Sequence, residues 1–216
     1  MVSHYDQEFR LWFITLLGNT AYGASVDARE EIADGLTESY KENENRVYHS
    51  HRHIIEMLDF IETSTKYGNA DLIYAWFYHD CVYGTGTGDD EKLSAERFAA
   101  DAKILKFPEW MTERICHYIM MTKHGSSLPE LWNERLIADC DLWILASPFK
   151  RFKEYDEEIR MEYLDIKDEV FNRERLKFLQ GMLEREAIYH SNEFRIPYEA
   201  KARINIKKII KDKYTG

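Results

Sequence analysis

Ala75-Trp-Phe-Tyr-His-Asp-Cys-Val-Tyr83 is an apolar run that ends on an adjacent imidazole and carboxylate, His79 and Asp80. Read as a helix, it buries most of its surface and then presents two groups that are costly in such surroundings unless paired or ligated. Gly84-Thr-Gly-Thr-Gly88 follows at once. Permissive backbone of this kind either moves over a ligand or joins two helices, and we read it as a connector. Asp89-Asp90 stand where a phosphate-binding loop requires Lys-Ser/Thr, so the turn is not a P-loop. A His-Asp dipeptide means little by itself in a chain with eight histidines. The apolar context carries the weight.

Outward from this stretch the period is helical. Phe9, Trp12, Phe13, Leu16 and Leu17, then Ile54, Met57, Leu58 and Ile61, recur at three and four, and sustained strand alternation is absent. Start signals place Asp27 as the cap of a helix toward Lys41, Asp89 as the cap of one to about Leu105, and Pro108 in a first helical turn. Gly68-Asn69, Gly84 to Gly88, Gly125 to Ser127 and Ser147-Pro148 read as stops. Beyond Pro148 the pattern predicts helices over 149–165 and 168–189. A terminal amphipathic helix over 199–214 carries Ala202, Ile206, Ile209 and Ile210 on one side.

The chain of 216 residues has 44% hydrophobic and 31% charged residues with only 10 Gly and 4 Pro, a composition expected of one all-α domain, 1–216, whose helices from about 148 pack on the core. A net charge of −10 argues against an extended nucleic-acid surface. The apolar run Leu11–Leu17 is too short for a bilayer and no basic leader precedes it, so no membrane partner is expected. Cys81, Cys116 and Cys140 read as reduced thiols of a cytoplasmic protein.

Two further segments carry chemistry. Tyr48-His-Ser-His-Arg-His-Ile54 concentrates three imidazoles, and on a helix His49 and His53 share a face while His51 points away. Leu136-Ile-Ala-Asp-Cys-Asp-Leu-Trp-Ile-Leu145 places Asp139 and Asp141 in an apolar helix. Two carboxylates there call for a cation or a strong hydrogen-bond network, and at about 200° apart on the helix they are not expected to share one ion, which leaves one of them a structural or supporting role. His4, His51, His117 and His190 are read as ordinary structural histidines.

Together, His49-x3-His53, then His79-Asp80, then Asp141-Leu142 resemble the HD superfamily of metal-dependent phosphohydrolases. The longer pattern is similar to that of predicted HD phosphohydrolases: Arg46-x-Tyr-His49-x3-His-Ile54, Ala75-Trp-x2-His-Asp-x-Val-Tyr83, Glu91-x2-Ser-Ala95, Asp139-x-Asp-Leu142 and Glu162-Tyr163. The resemblance spans about Trp12 to the C-terminus. It implies a helical bundle with a central divalent metal held by His53, His79, Asp80 and Asp141, and hydrolysis of a phosphate mono- or diester by metal-bound hydroxide. His49-x3-His53 also resembles the cyclic-nucleotide phosphodiesterase element in which the first His donates a proton and the second binds metal. Generic HD domains would make His49 the ligand instead. Ser50 departs from the phosphodiesterase pattern, which has Asn there.

On this reading His49, Asp80 and Glu91 are the catalytic set, and Arg46, Lys123 and His124 the substrate contacts. The mixed N/O donors suit Mn²⁺, Fe²⁺, Co²⁺, Ni²⁺ or Zn²⁺, with room for a second ion such as Mg²⁺. The expected partner is a small phosphorylated substrate, such as a nucleotide. Two rival classes stand beside it: a regulatory module that binds metal or nucleotide without turnover, and an HD-type di-iron oxygenase, which would need His117 and His124 as extra ligands.

Overall fold

The apolar run quoted above supplies the last turn of a helix that is buried along most of its length. α4 (Ala70–Tyr78) buries Asp71, Leu72 and every residue from Tyr74 to Tyr78, because other helices cover all its sides. A computed structural model describes residues 4–43, 45–64, 70–123 and 129–214, with the side chains of 59–64 left aside. Its described residues are all-helical, with no strand and a single isolated bridge between Asn43 and Arg46. None of these helices is long and apolar enough to cross a membrane. The chain divides into two compact units, Met1–Leu128 and Pro129–Gly216.

In the first unit, α1 (His4–Thr20), α2 (Val26–Ser39), α3 (His51–Ser64), α5 (Asp90–Ile104) and α6 (Glu109–Met120) join α4. α4 touches α1, α3, α5 and α6. Its outer surface is mainly aromatic: Phe77 meets Phe9 and Phe13 at ring-centroid distances of 4.9 Å each, Tyr78 meets Phe98 at 5.0 Å, and Tyr74 meets Phe107 at 5.2 Å. Truncating any such buried ring costs on the order of 3–5 kcal/mol. Among the described residues most polar groups inside this packing are partnered, the buried Trp76 indole N–H being an exception. The Tyr78 hydroxyl donates to Asp101 (2.9 Å), which also takes a bond from Arg97 (3.0 Å), and Arg114 pairs with the buried Asp71.

The expected cap of α2 shifts by two residues. Ser25, in extended conformation, accepts from the Ala28 N–H, and Asp27 lies inside the first turn. α5 begins after Asp89 and α6 after Pro108, as their start signals indicate. The stops at Gly68-Asn69 and Gly125 to Ser127 lie outside the described residues.

The second unit holds α7 (Trp132–Asp141), a short 3-10 turn (Trp143–Ala146), α8 (Phe149–Glu162), α9 (Asp168–Glu184), α10 (Asn192–Ile209) and a terminal π turn (Ile210–Tyr214). α8 and α9 stop three and five residues before the ends expected of them. α10 starts seven residues before its expected start at Glu199 and runs through Pro197. A proline there removes one backbone bond at a cost of about 3 kcal/mol, and the helix entry is secured from elsewhere. The fully buried Asp139 accepts from the His190 N–H (2.7 Å), the Ser191 N–H (2.7 Å) and the Ser191 hydroxyl (2.6 Å). Glu199 adds bonds from the Ile188 and Tyr189 N–H groups. Ala202, Ile206 and Ile209 lie in the core of this unit as the amphipathic pattern requires.

Candidate metal centre

α4 delivers His79 and Asp80 from its C-terminal end, and α3 delivers His53 from its first turn. The His79 N–H still bonds to the Ala75 carbonyl at 2.8 Å, so the helical geometry carries through to the site. His79 Nδ1 lies 2.8 Å from the Trp76 carbonyl, an acceptor only. Nδ1 must therefore carry the ring proton, which leaves the Nε2 lone pair of a neutral imidazole available to a cation. A ligating histidine needs this arrangement.

His79 Nε2 lies 3.3 Å from His53 Nε2 and 3.0 Å from Asp80 Oδ2, and His53 Nε2 lies 3.7 Å from the same carboxylate oxygen. Ligands at about 2.0–2.2 Å from one ion stand about 2.8–3.1 Å apart at right angles and about 3.3–3.6 Å apart in a tetrahedron. The three separations fall close to those values. Both histidines are buried and the Asp80 side chain is 16% exposed, so the group is enclosed with one edge toward solvent. Two imidazole nitrogens and a carboxylate oxygen fit a divalent transition metal, and this cluster can hold one.

His49 sits beside this group without joining it. α3 begins only at His51, because the chain turns tightly at Tyr48–Ser50 with the Ser50 N–H on the Tyr48 carbonyl at 2.7 Å. The His49 ring is stacked on Tyr83 (4.2 Å, 26° between planes) and its centroid is 5.8 Å from that of His53. His51 faces away, buried against α1 and α2, with Nε2 2.6 Å from the Thr37 carbonyl and Nδ1 2.8 Å from Asp6. Burial lowers its pKa below the ordinary histidine value, against the pull of the Thr37 carbonyl and Asp6.

Arg46 lies under the site and is almost wholly buried. Its Nη2 donates to the Asp80 carbonyl at 2.6 Å, and its guanidinium carbon lies 4.9 Å from the Tyr40 ring centroid and 5.2 Å from that of Tyr83. Tyr40 is a partner that its sequence position did not signal: its hydroxyl accepts from the Asp80 N–H at 3.2 Å. Burial, with Cys81 and Asp80 nearby, pushes the Tyr40 phenol well above its ordinary value, so it stays neutral. Ser94, part of the Glu91-x2-Ser-Ala95 pattern, fixes the chain just past Asp80: its hydroxyl bonds the Val82 N–H (3.0 Å) and carbonyl (3.3 Å).

Glu91 and Lys123 come together, at 3.9 Å, and Lys123 Nζ also donates to the Gly88 carbonyl at 2.6 Å. Both therefore brace the glycine turn. Gly84, Gly86 and Gly88 have φ of 75°, 71° and 75°, conformations in which side chains are strained. The Asp90 carboxylate ties the turn down by accepting from the Gly84 and Thr85 N–H groups at 2.7 and 3.3 Å. Such pinning agrees with a connector. His124 lies outside the described residues. His117 is exposed on α6 and belongs to no metal-ligating group among the described residues.

In the second unit Asp141 is the half-buried last residue of α7. Asp139 turns to the α10 entry as described, and burial outweighs its three hydrogen bonds to push its carboxyl up to about 6. The supporting role expected of Asp139 is thus met at the α10 entry. Compared with protein-family models, with curated proteins and with solved structures, the chain gives no match.

Proposed function

We propose that the protein is a metal-dependent phosphoric ester hydrolase of the HD type, acting in the cytoplasm on a mono- or diester of a nucleotide or another small phosphorylated metabolite. The observation that carries this reading is the convergence of His53 Nε2, His79 Nε2 and Asp80 Oδ2 at 3.0–3.7 Å, with the His79 tautomer fixed by the Trp76 carbonyl. We assign Asp141 as the fourth ligand. The resemblance to the HD pattern, through Asp139-x-Asp141-Leu142, names it for this role. Mn²⁺, Fe²⁺, Co²⁺, Ni²⁺ or Zn²⁺ suits this donor set. When bound, the metal supplies a water acidic enough to act as nucleophile, its pKa brought from about 15.7 toward about 7.

The chain's own residues then divide the remaining work. Asp80 ligates and accepts the proton of the attacking water on its second oxygen. His49, on its Tyr83 stack beside His53, donates a proton to the departing alkoxide. Lys123 and His124 steady negative charge on the phosphoryl oxygens, and Glu91 holds Lys123.

The experiment is a screen of nucleotides and simple phosphate esters with Mn²⁺, Co²⁺, Ni²⁺, Zn²⁺ and Mg²⁺, reading released phosphate or alcohol. We expect turnover that depends on a transition metal and disappears in His79→Ala. Metal binding with no hydrolysis of any ester would favour a regulatory module. Loss of substrate that needs iron and O₂ would favour the oxygenase.

A further inference from the structure

Beside the metal cluster the Arg46 guanidinium carbon lies over both the Tyr40 ring and the Tyr83 ring, and the His49 imidazole stacks on Tyr83. The Arg46 backbone is held by paired bonds with Asn43, at 3.1 and 3.2 Å, so the side chain is aimed from a fixed turn. Two aromatic rings, Tyr40 and Tyr83, lie against its guanidinium. One edge is spent on the Asp80 carbonyl at 2.6 Å, and Nη1 is closed off from solvent with no hydrogen-bond partner. A cation so enclosed cannot meet a phosphoryl group arriving from solvent. Yet leaving a guanidinium nitrogen buried and unpaired carries a cost of about 1–3 kcal/mol, and the compensation lies in what the other contacts hold in place.

The geometry points to Arg46 as a positioning residue that sets two parts of the site at once, the Asp80 ligand through its peptide carbonyl and the His49 ring plane through Tyr83. This inference rests on the hydrolase reading for its kinetic part and on the metal cluster alone for its binding part. Planarity is the property required, because a guanidinium can set its face against an aromatic ring while its edge donates to a carbonyl. A lysine ammonium offers the charge without the plane.

The test compares Arg46→Met, Arg46→Lys, Tyr83→Leu and Tyr83→Phe with the full-length protein, after circular dichroism has checked helix content. Co²⁺ affinity is measured by competition with a chromophoric chelator, and hydrolysis is followed on a nitrophenyl ester and an alkyl ester. Outer-shell partners of metal ligands are typically worth 10–100-fold in affinity, so Arg46→Met should weaken Co²⁺ by about that factor. It should also lower kcat with KM little changed, and more for the alkyl ester. Arg46→Lys should recover little of either. Tyr83→Leu should keep Co²⁺ affinity within about threefold while losing kcat on the alkyl ester, and Tyr83→Phe, which keeps the ring face, should recover most of that loss.

Unchanged Co²⁺ affinity in folded Arg46→Met overturns the proposal, as does full rescue by Arg46→Lys or a rise in KM with kcat preserved. If the wild type binds Co²⁺ but hydrolyses no ester, the hydrolase reading fails and the affinity of Arg46→Met still decides the role of Arg46. A wild type that binds no Co²⁺ removes both.

Discussion

Replacing His53 with alanine takes one of two facing imidazoles out of the cluster, whereas replacing His49 takes away a ring that is stacked on Tyr83, its centroid 5.8 Å from that of His53. The two substitutions should therefore separate cleanly. Loss of a direct ligand costs at least the roughly 100-fold in affinity that an outer-shell partner can cost. At a free metal concentration about 1,000 times the wild-type Kd, binding stabilises the fold by about 4.1 kcal/mol, and a 100-fold weaker site by only about 1.4 kcal/mol. The difference, about 2.7 kcal/mol, corresponds to a Tm about 5–10 °C lower for a chain of this size. His49→Ala should keep the metal-induced rise in Tm. It should lose about 10²–10⁴ in kcat, with less loss on nitrophenolate than on alkoxide leaving groups.

The assay is thermal unfolding with and without Zn²⁺ or Co²⁺, bound metal counted after gel filtration, and rates on the two ester classes. If His53→Ala holds its metal and its Tm rise while His49→Ala loses both, the ligand assignment is reversed and the reasoning from Nε2 separations is wrong. An unaltered rate in His49→Ala would remove that residue from the reaction.

Two predictions concern stability in the second unit. Asp156 is fully buried and pairs with Arg175 at 2.9 Å and Lys213 at 2.8 Å, so Asp156→Ala, which strands the buried Arg175, should cost about 3–5 kcal/mol by urea denaturation. Burial pushes the Asp156 carboxyl up, but the Arg175 and Lys213 charges outweigh it and hold it below its ordinary value. Its contribution is then complete above the unfolded carboxylate range and is lost as pH falls through the lowered folded value. Asp156→Asn should flatten that acid limb relative to wild type; an identical acid profile would contradict the assignment. Asp139→Ala should cost about 3 kcal/mol or more, since two peptide N–H groups and the Ser191 hydroxyl lose a buried acceptor together. Greater exchange of the His190 and Ser191 amides would place the damage at the α10 entry.

The all-helical architecture and much of the first-unit site are legible in the sequence for a local reason. The three-and-four spacing of Phe9, Phe13 and Leu17 or of Ile54, Met57 and Leu58 records a buried helix face directly, and His79-Asp80 at the end of an apolar run records an enclosed polar site. Where the structure departs from the sequence pattern, the cause is a backbone conformation or a partner that residue type does not record. Asp27 has the right residue type for a cap, yet Ser25 holds the position because the chain is extended there. Pro197 signals a helix boundary by every local rule, and the helix passes through it because Asp139, far away in sequence, binds its entry.

The same contrast applies to Arg46 and Tyr40. An arginine three residues before a histidine pair invites a substrate role, since exposed guanidinium suits phosphate. Its burial involves Tyr40 and Tyr83, which come from either side of it in the sequence and pack against its guanidinium. Tyr40 stands at the end of α2 with no motif around it, so its hydroxyl on the Asp80 N–H follows only from helix packing. Short-range pattern thus finds groups that could ligate, because ligation needs particular residue types. It does not find the groups that aim them, because a carbonyl, a phenol or a ring face from many residues can do that work. Hence the sequence motif leads to His53, His79 and Asp80, whereas the residues that fix their geometry, Trp76, Tyr40 and Arg46, take their roles from the fold.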